Sequence, residues 1–195
     1  MRKWETLIDE LQLENRLALE DIPDVDLYMD QVIQLFEKKF ASSKRNEDEK
    51  VLTKTMINNY AKGQLFIPIK NKRYTKNHIM LISMIYQLKG ALSIKDIKQL
   101  LYQLNDKITD DDFQLEDLYE GYLELAKENA DHFKEDVMTR AEDVVDELDA
   151  LKEDDDVEYL ERLLMAASFV NMSNLYRRAA EKLVDDMDMP QEKQK

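Results

Sequence analysis

The segment from Lys54 to Lys62 carries the residues with the most distinctive chemistry. Placed on a helix at about 100° per residue, Lys54, Thr55, Asn58, Asn59 and Lys62 fall on one half of the wheel. Met56, Ile57 and Tyr60 fall on the other half, and the polar half holds no carboxylate. Asn can pair in a bidentate manner with adenine in a major groove, Lys reaches guanine or phosphate, and Thr contacts phosphate or a thymine methyl. That set suits a helix that reads duplex DNA. Some 10 to 20 residues downstream, Lys70, Lys72, Arg73 and Lys76 cluster around Tyr74, a set suited to gripping phosphates beside the groove. A plainer reading stays open, because any short amphipathic helix exposes Lys and Asn for solubility.

Other chemistry is thinly represented. The two histidines, His78 and His132, are far apart and have no cysteine partners, so each is expected to be structural or exposed rather than a metal ligand. The triplets Asp110–Asp112 and Asp154–Asp156 lack the glycine and distant glutamate of a calcium loop, and are read as a helix start and a linker. The chain has no phosphate loop, nucleotide fingerprint or nucleophile elbow, and with no cysteine it can form neither disulfides nor thiolate sites. A non-enzymatic protein without cofactor or metal is expected, in a reducing, cytoplasmic setting. No stretch approaches the roughly 20 apolar residues of a membrane span.

The elements that must position the polar helix follow from composition and spacing. Three glycines and three prolines in 195 residues, with 44% hydrophobic residues, indicate an all-α chain with at most a small β element. The net charge of −14 would repel a polyanion if it were evenly spread. It is segregated instead: Lys50–Lys107 holds eleven Lys and Arg against Asp96 and Asp106, a net of +9, whereas the other 137 residues carry a net of −23. This gives three parts: an N-terminal helical arm (1–41), a basic module (42–107) to which a helix at 24–40 contributes, and an acidic helical region (108–195).

Along the chain, Trp4, Leu7, Ile8 and Leu11 begin an amphipathic helix, and Asp24 is a candidate cap for the 24–40 helix. Residues 42–49 read as a loop. Thr53 caps the 54–62 helix, and Gly63 is the expected left-handed residue at its end. Leu65–Ile69 and the turn Lys70-Asn71-Lys72-Arg73 suggest a two-stranded wing. Helices follow from Thr75 to Gly90 and from Ser93 to about Leu104, the latter with Ile94, Ile97, Leu100, Leu101 and Leu104 inward. From Tyr119, inward positions recur at 122, 126, 130, 133, 137, 141, 144 and 148, an eleven-residue rhythm close to the straight α-helix period. A last helix is expected at about 157–187, followed by a frayed tail, Pro190–Lys195.

The order of short helix, Gly63-Gln64-Leu65, basic turn with Tyr74-Thr75, helix, and Leu92-Ser93-Ile94-Lys95-Asp96-Ile97-Lys98-Gln99-Leu100-Leu101 resembles the DNA-binding domain of the MerR family of regulators. Thr55-Met56-Ile57 corresponds to that family's Thr-Leu-Arg. The resemblance covers about 50 residues and implies a winged helix-turn-helix whose recognition helix is 54–62 and whose wing is 66–76. Ile57-Asn58-Asn59 stands where the family usually has Arg-Tyr-Tyr, which removes one cationic contact. Ile22-Pro23, Leu27-Tyr28-Met29-Asp30-Gln31-Val32 and Leu52–Tyr60 more closely resemble a family of Gram-positive bacteria known as domain of unknown function 1836.

The expectation is thus a sequence-specific regulator that binds double-stranded DNA through Lys54, Thr55, Asn58, Asn59, Lys62, Lys70, Lys72, Arg73, Tyr74 and Lys76. A rival is a helical interaction adaptor that keeps the scaffold and holds an acidic protein. For the acidic C-terminal region three roles are open: a homodimer through the small-residue stripe, intramolecular core, or a cover over the basic module.

Overall fold

The computed structural model describes residues 2–110, 113–151 and 155–187; expectations for Asp111, Asp112, Glu153, Asp154 and the Pro190–Lys195 tail lie outside them. The described chain is mostly helical, with α1 (Arg2–Glu10), α2 (Met29–Phe40), α3 (Lys54–Lys62), α4 (Lys76–Leu88), α5 (Ile94–Lys107), α6 (Leu115–Glu147) and α7 (Val157–Asp185). Two short strands, β1 (Leu27–Tyr28) and β2 (Arg73–Tyr74), pair antiparallel with Leu27 opposite Tyr74 and Tyr28 opposite Arg73. No described helix is long and apolar enough to cross a membrane.

Contacts divide the chain into two compact units. One holds Asn15–Leu123 with the end of α7 from Ala179, and the other holds the residues up to Glu14 with Glu124–Arg178. The boundaries drawn from charge at 41/42 and 107/108 do not coincide with this division. Leu17, Ile22, Leu27, Val32, Phe36 and Phe40 are buried in the same core as α3, α4 and α5, so residues 15–41 belong with the basic module. The Tyr119 hydroxyl, 2.7 Å from Leu17 O and 2.9 Å from Ser83 Oγ, fastens the start of α6 to that core. Burial of the ring pushes its pKa up to about 12, so it stays a neutral donor.

Within this larger unit α4 is central. His78 to Ser83 and Ile85 are all buried, so the helix is covered nearly all round. Phe36, Phe40 and Tyr86 stack as an aromatic cluster with centroids 4.8–6.3 Å apart. Helix α5 starts at a capping box in which Ser93 Oγ accepts from Asp96 N and Asp96 Oδ2 accepts from Ser93 N. Ile97 and Leu101 are buried, but Ile94, expected inward, is exposed at the first turn.

Helix α2 begins at Met29 rather than Asp24, because Leu27 and Tyr28 are drawn into the strand pair with Arg73 and Tyr74. Gln31 Oε1, not Asp24, caps the helix by accepting from Tyr28 N at 2.8 Å.

The smaller unit is thinner. Trp4, Val137, Ala141, Val144, Leu148 and Met165 form its buried cluster, flanked by Leu7, Ile8, Phe133, Leu160 and Phe169. The α6 stripe expected from the eleven-residue rhythm is inward at every position from 119 to 148, buried or half-buried. Its later members pack against Trp4 and Met165 of the same chain. These members therefore serve as intramolecular core, one of the three roles open for the region. Leu11 is exposed, since α1 ends at Glu10 and Gln12 turns left-handed (φ 51°).

Candidate nucleic-acid interface

Helix α3 has the bounds its sequence signals require. Thr53 Oγ1 accepts from Met56 N at 3.2 Å at the start. At the end, Leu65 N donates to Tyr60 O (3.0 Å) and Gln64 N to Ala61 O (3.1 Å), the paired bonds of a Schellman motif. The left-handed residue is Gln64 (φ 57°), not Gly63, whose φ is −72°. At Gly63 a Cβ would lie 2.6 Å from Leu65 Cδ1, so a larger residue there would make the buried Leu65 side chain shift. With Ile57 and Tyr60 buried and Met56 half-buried, the helix is fixed in rotation, and Lys54, Thr55, Asn58, Asn59 and Lys62 are all exposed.

The basic turn is equally well defined. Asn71 and Lys72 are both left-handed (φ 52° and 59°), and Arg73 N donates to Lys70 O at 3.0 Å. Two successive left-handed residues make a type I′ turn, which matches the twist of a hairpin. Strain of about 1 kcal/mol is expected at the non-glycine Lys72. The expected wing has one true strand partner elsewhere: beyond the single Lys70–Arg73 bridge, β2 pairs with β1. Pro68 has no N–H to offer, and the Ile67 carbonyl is occupied by His78 Nε2 at 3.1 Å.

His78 acts as a bracket behind the turn. Its Nδ1 accepts from Thr75 N (3.2 Å) and lies 2.8 Å from Thr75 Oγ1, so the proton sits on Nε2 and is donated to Ile67 O. Burial lowers its pKa, which keeps the ring neutral; the Ile67 and Pro68 carbonyls and Asp26 oppose that shift more weakly.

The sequence-selected residues separate into groups. Lys54, Asn58 and Lys72, with Tyr28, Asp30 and Ile69, line one open cleft of about 450 Å³. Lys70 and Arg73 border a second cleft on the other side of the turn, beside Asp26 and Thr75. Thr55, Asn59 and Lys62 are exposed on α3 but line neither cleft. Tyr74 is corrected: it is 2% exposed and packs against Phe66 and His78. Strand alternation turns Arg73 outward and Tyr74 inward, so Tyr74 floors the first cleft and offers no outward-facing contact.

Four residues escaped the sequence reading. Tyr28 is exposed under the Arg73 guanidinium, whose carbon is 4.3 Å from the ring centroid while Nη2 donates to the Tyr28 hydroxyl at 2.9 Å. Asp30 Oδ1 is 2.7 Å from Lys54 Nζ, and Asp24 Oδ1 is 3.9 Å from Lys76 Nζ. Arg73 Nη1 also reaches the Asp26 carbonyl at 3.4 Å. Asp24 lies before β1 and meets Lys76 just past β2, whereas Asp30 opens α2 and meets Lys54 where α2 contacts α3. Among the described residues no group of three or more His, Asp or Glu could hold a metal ion.

The family described as Domain of unknown function (DUF1836) matches residues 17–122, more than half of the chain. The chain belongs to the DUF1836 family. No curated protein and no solved structure matches it. The DUF1836 match falls inside the larger compact unit and ends one residue before its Asn15–Leu123 segment does, so α3, the basic turn and the β1 segment that carries Tyr28 all lie within the family domain. Most of α6 and all of α7 lie outside it.

Proposed function

We propose that the DUF1836 unit is a MerR-like winged helix-turn-helix and that the protein is a cytoplasmic, non-enzymatic, sequence-specific DNA-binding regulator. The observation that carries this reading is the complete division of α3. Its five polar residues are exposed, its apolar residues are held in the core, and the exposed set contains hydrogen-bonding and cationic side chains but no acid. Nine residues rise about 13 Å, a length that fits a major groove about 12 Å wide. The type I′ turn lifts Lys70 and Lys72 into solvent, where they can meet phosphates, and β1 anchors it to the residue that starts α2.

On this reading α3 enters the groove, Asn58 and Asn59 read base edges, and Lys62, Lys70, Lys72 and Arg73 neutralise phosphates. Removing any one of these cations should reduce the slope of log affinity against log salt by about 0.9.

A second reading, an adaptor for an acidic protein, draws on Asp30. Its contact with Lys54 places a negative charge inside the cleft, a poor feature for a polyanion and a good one for a mixed-charge protein surface.

Binding of the full chain to mixed genomic DNA fragments across a salt series separates the two, with a Lys54→Glu, Lys62→Glu variant alongside. A regulator retains a few fragments selectively, loses them as salt rises, and loses them in the variant. If the natural chain retains none at low salt, or if the variant retains them unchanged, the recognition role of α3 fails.

A further inference from the structure

A third cleft of the larger unit is lined by none of the residues assigned to DNA. It has a volume of about 440 Å³ and lies between the segment Phe66–Ile69 and one face of α5. Lys98, Tyr102, Asn105 and Asp106 line it from α5, at the three-, four- and seven-residue spacings that share a helix face. Phe66, Ile67, Pro68 and Ile69 give it an apolar opposite wall.

The main chain of that wall is only partly used. The Phe66, Ile67 and Ile69 amides donate to no group among the described residues. A short run of chain with free amides beside an apolar cleft is a template for an added strand. Asn105 supplies a second unmet need. Its Nδ2 donates to Leu65 O at 3.1 Å, which fixes the orientation of the side-chain amide. Its Oδ1 is buried and, among the described residues, is the one buried side-chain oxygen without a hydrogen-bond partner. Folded proteins hold few such groups. Water does not reach this oxygen, so its donor must seat deeply and part the walls slightly, as a peptide N–H pressed between them would.

The charges of the cleft set the length of the occupant. Lys98 and Asp106 stand eight residues apart on α5, a rise of about 12 Å, and neither has an ion-pair partner among the described residues. An extended peptide advances about 3.3 Å per residue, so roughly three or four residues span that distance. A free carboxylate at one end then meets Lys98, and a free ammonium at the other meets Asp106. A single amino acid carries both charges on one carbon and cannot reach the two sites together. An internal segment of a protein carries neither terminal charge.

We propose that this cleft binds a short free peptide, extended along Phe66–Ile69, with its carboxylate at Lys98, its ammonium at Asp106 and apolar side chains between them. The proposal stands on the cleft alone, so it and the DNA reading can fail separately.

Titration calorimetry of the full chain with free tetrapeptides Ala-X-X-Ala, where X is Leu, Ile, Val or Phe, is the test. At least one should bind below millimolar concentration, and amidation of its C-terminus or acetylation of its N-terminus should each weaken it roughly fivefold. Lys98→Gln should weaken the free peptide to a similar extent, and amidation should then cost nothing further. Asp106→Asn should stand in the same relation to acetylation. Methylation of the central peptide nitrogen should remove binding, because strand addition needs that N–H. Helical circular dichroism of both variants should match the natural chain. Failure of every free tetrapeptide to bind at up to about 10 mM overturns the proposal. Capped peptides that bind as tightly as free ones overturn it as well, and make an internal segment of another protein the occupant. End caps that cost as much in Lys98→Gln and Asp106→Asn as in the natural chain overturn it equally, because the peptide then lies elsewhere.

Discussion

Phe36, Phe40, Ile57, Leu65 and Ile82 in the larger unit are at most 1% exposed, whereas Tyr159, Val170 and Tyr176 on α7 of the smaller unit are more than 60% exposed. Both regions are rich in apolar residues, but they use them differently. The larger unit buries them around α4 and leaves a polar, cationic face as its product. The smaller unit fills a narrow seam between α1, α6 and α7 with Trp4, Val137, Ala141 and Met165, and leaves a second apolar side of α7 in solvent. The first region exposes polar groups around a buried apolar core, and the second exposes apolar groups along one helix.

The sharpest way to break this comparison is to make similar truncations in both regions. Phe36→Ala removes a ring that touches Phe40 and Tyr86 in a site with no solvent access, and should cost about 3–5 kcal/mol of stability. Leu163→Ala should change the stability of the monomer by no more than about 0.5 kcal/mol. Denaturant unfolding of the two variants at low protein concentration measures both. Equal costs would mean that α7 is covered within its own chain and that the contrast is false.

His78 offers a finer test, because it lies where the core of the larger unit meets its basic face. His78→Ala should cost about 2–3 kcal/mol at pH 7.5, through the loss of the bonds to Thr75 and Ile67 and of ring packing against Phe66 and Tyr74. Burial depresses the pKa of folded His78, so below about pH 6.5 the unfolded chain takes up a proton that the folded chain does not. The stability due to a neutral His78 is therefore complete above that pH and declines on acidification, until the folded ring also protonates. The gap between the natural protein and His78→Ala should narrow between pH 7.5 and pH 5. A gap that stays constant would show that the ring is not held neutral.

These tests also mark what could be read from the sequence. Local signals located α3 to the residue, because its cap, its end and its two faces are set by side chains within a few positions of one another. The inward rhythm of α6 was legible for the same reason. Long-range pairing was not. Nothing local says that Leu27-Tyr28 will leave the helix pattern to pair with Arg73-Tyr74, yet that register buries Tyr74 and brings Tyr28 under Arg73. The contact of α2 with α3 that carries Asp30 to Lys54 is long-range in the same way. The shift of the left-handed position from Gly63 to Gln64 was hidden because a glycine suits either place. The open side of α7 was hidden too: a list of apolar residues on a helix does not say which of them the rest of the chain will cover.

Asp30 provides the smallest effect and the most discriminating one. Its carboxylate lies 2.7 Å from the Lys54 ammonium, with both side chains about two-thirds exposed, so the pair contributes little to stability. Asp30→Asn should therefore leave unfolding unchanged within about 0.5 kcal/mol. For a DNA-binding α3 the same change removes an anion from the cleft and releases Lys54 toward phosphate. Affinity for retained fragments should rise roughly two- to fivefold at low salt, and the salt slope should steepen by up to about 0.9. Combining Asp30→Asn with Lys54→Gln should remove the gain. An adaptor that uses Asp30 to meet a cation on its partner predicts the opposite sign for partner binding and no DNA effect. The direction of this one change therefore tells whether the exposed polar face of the DUF1836 unit was shaped around a nucleic acid.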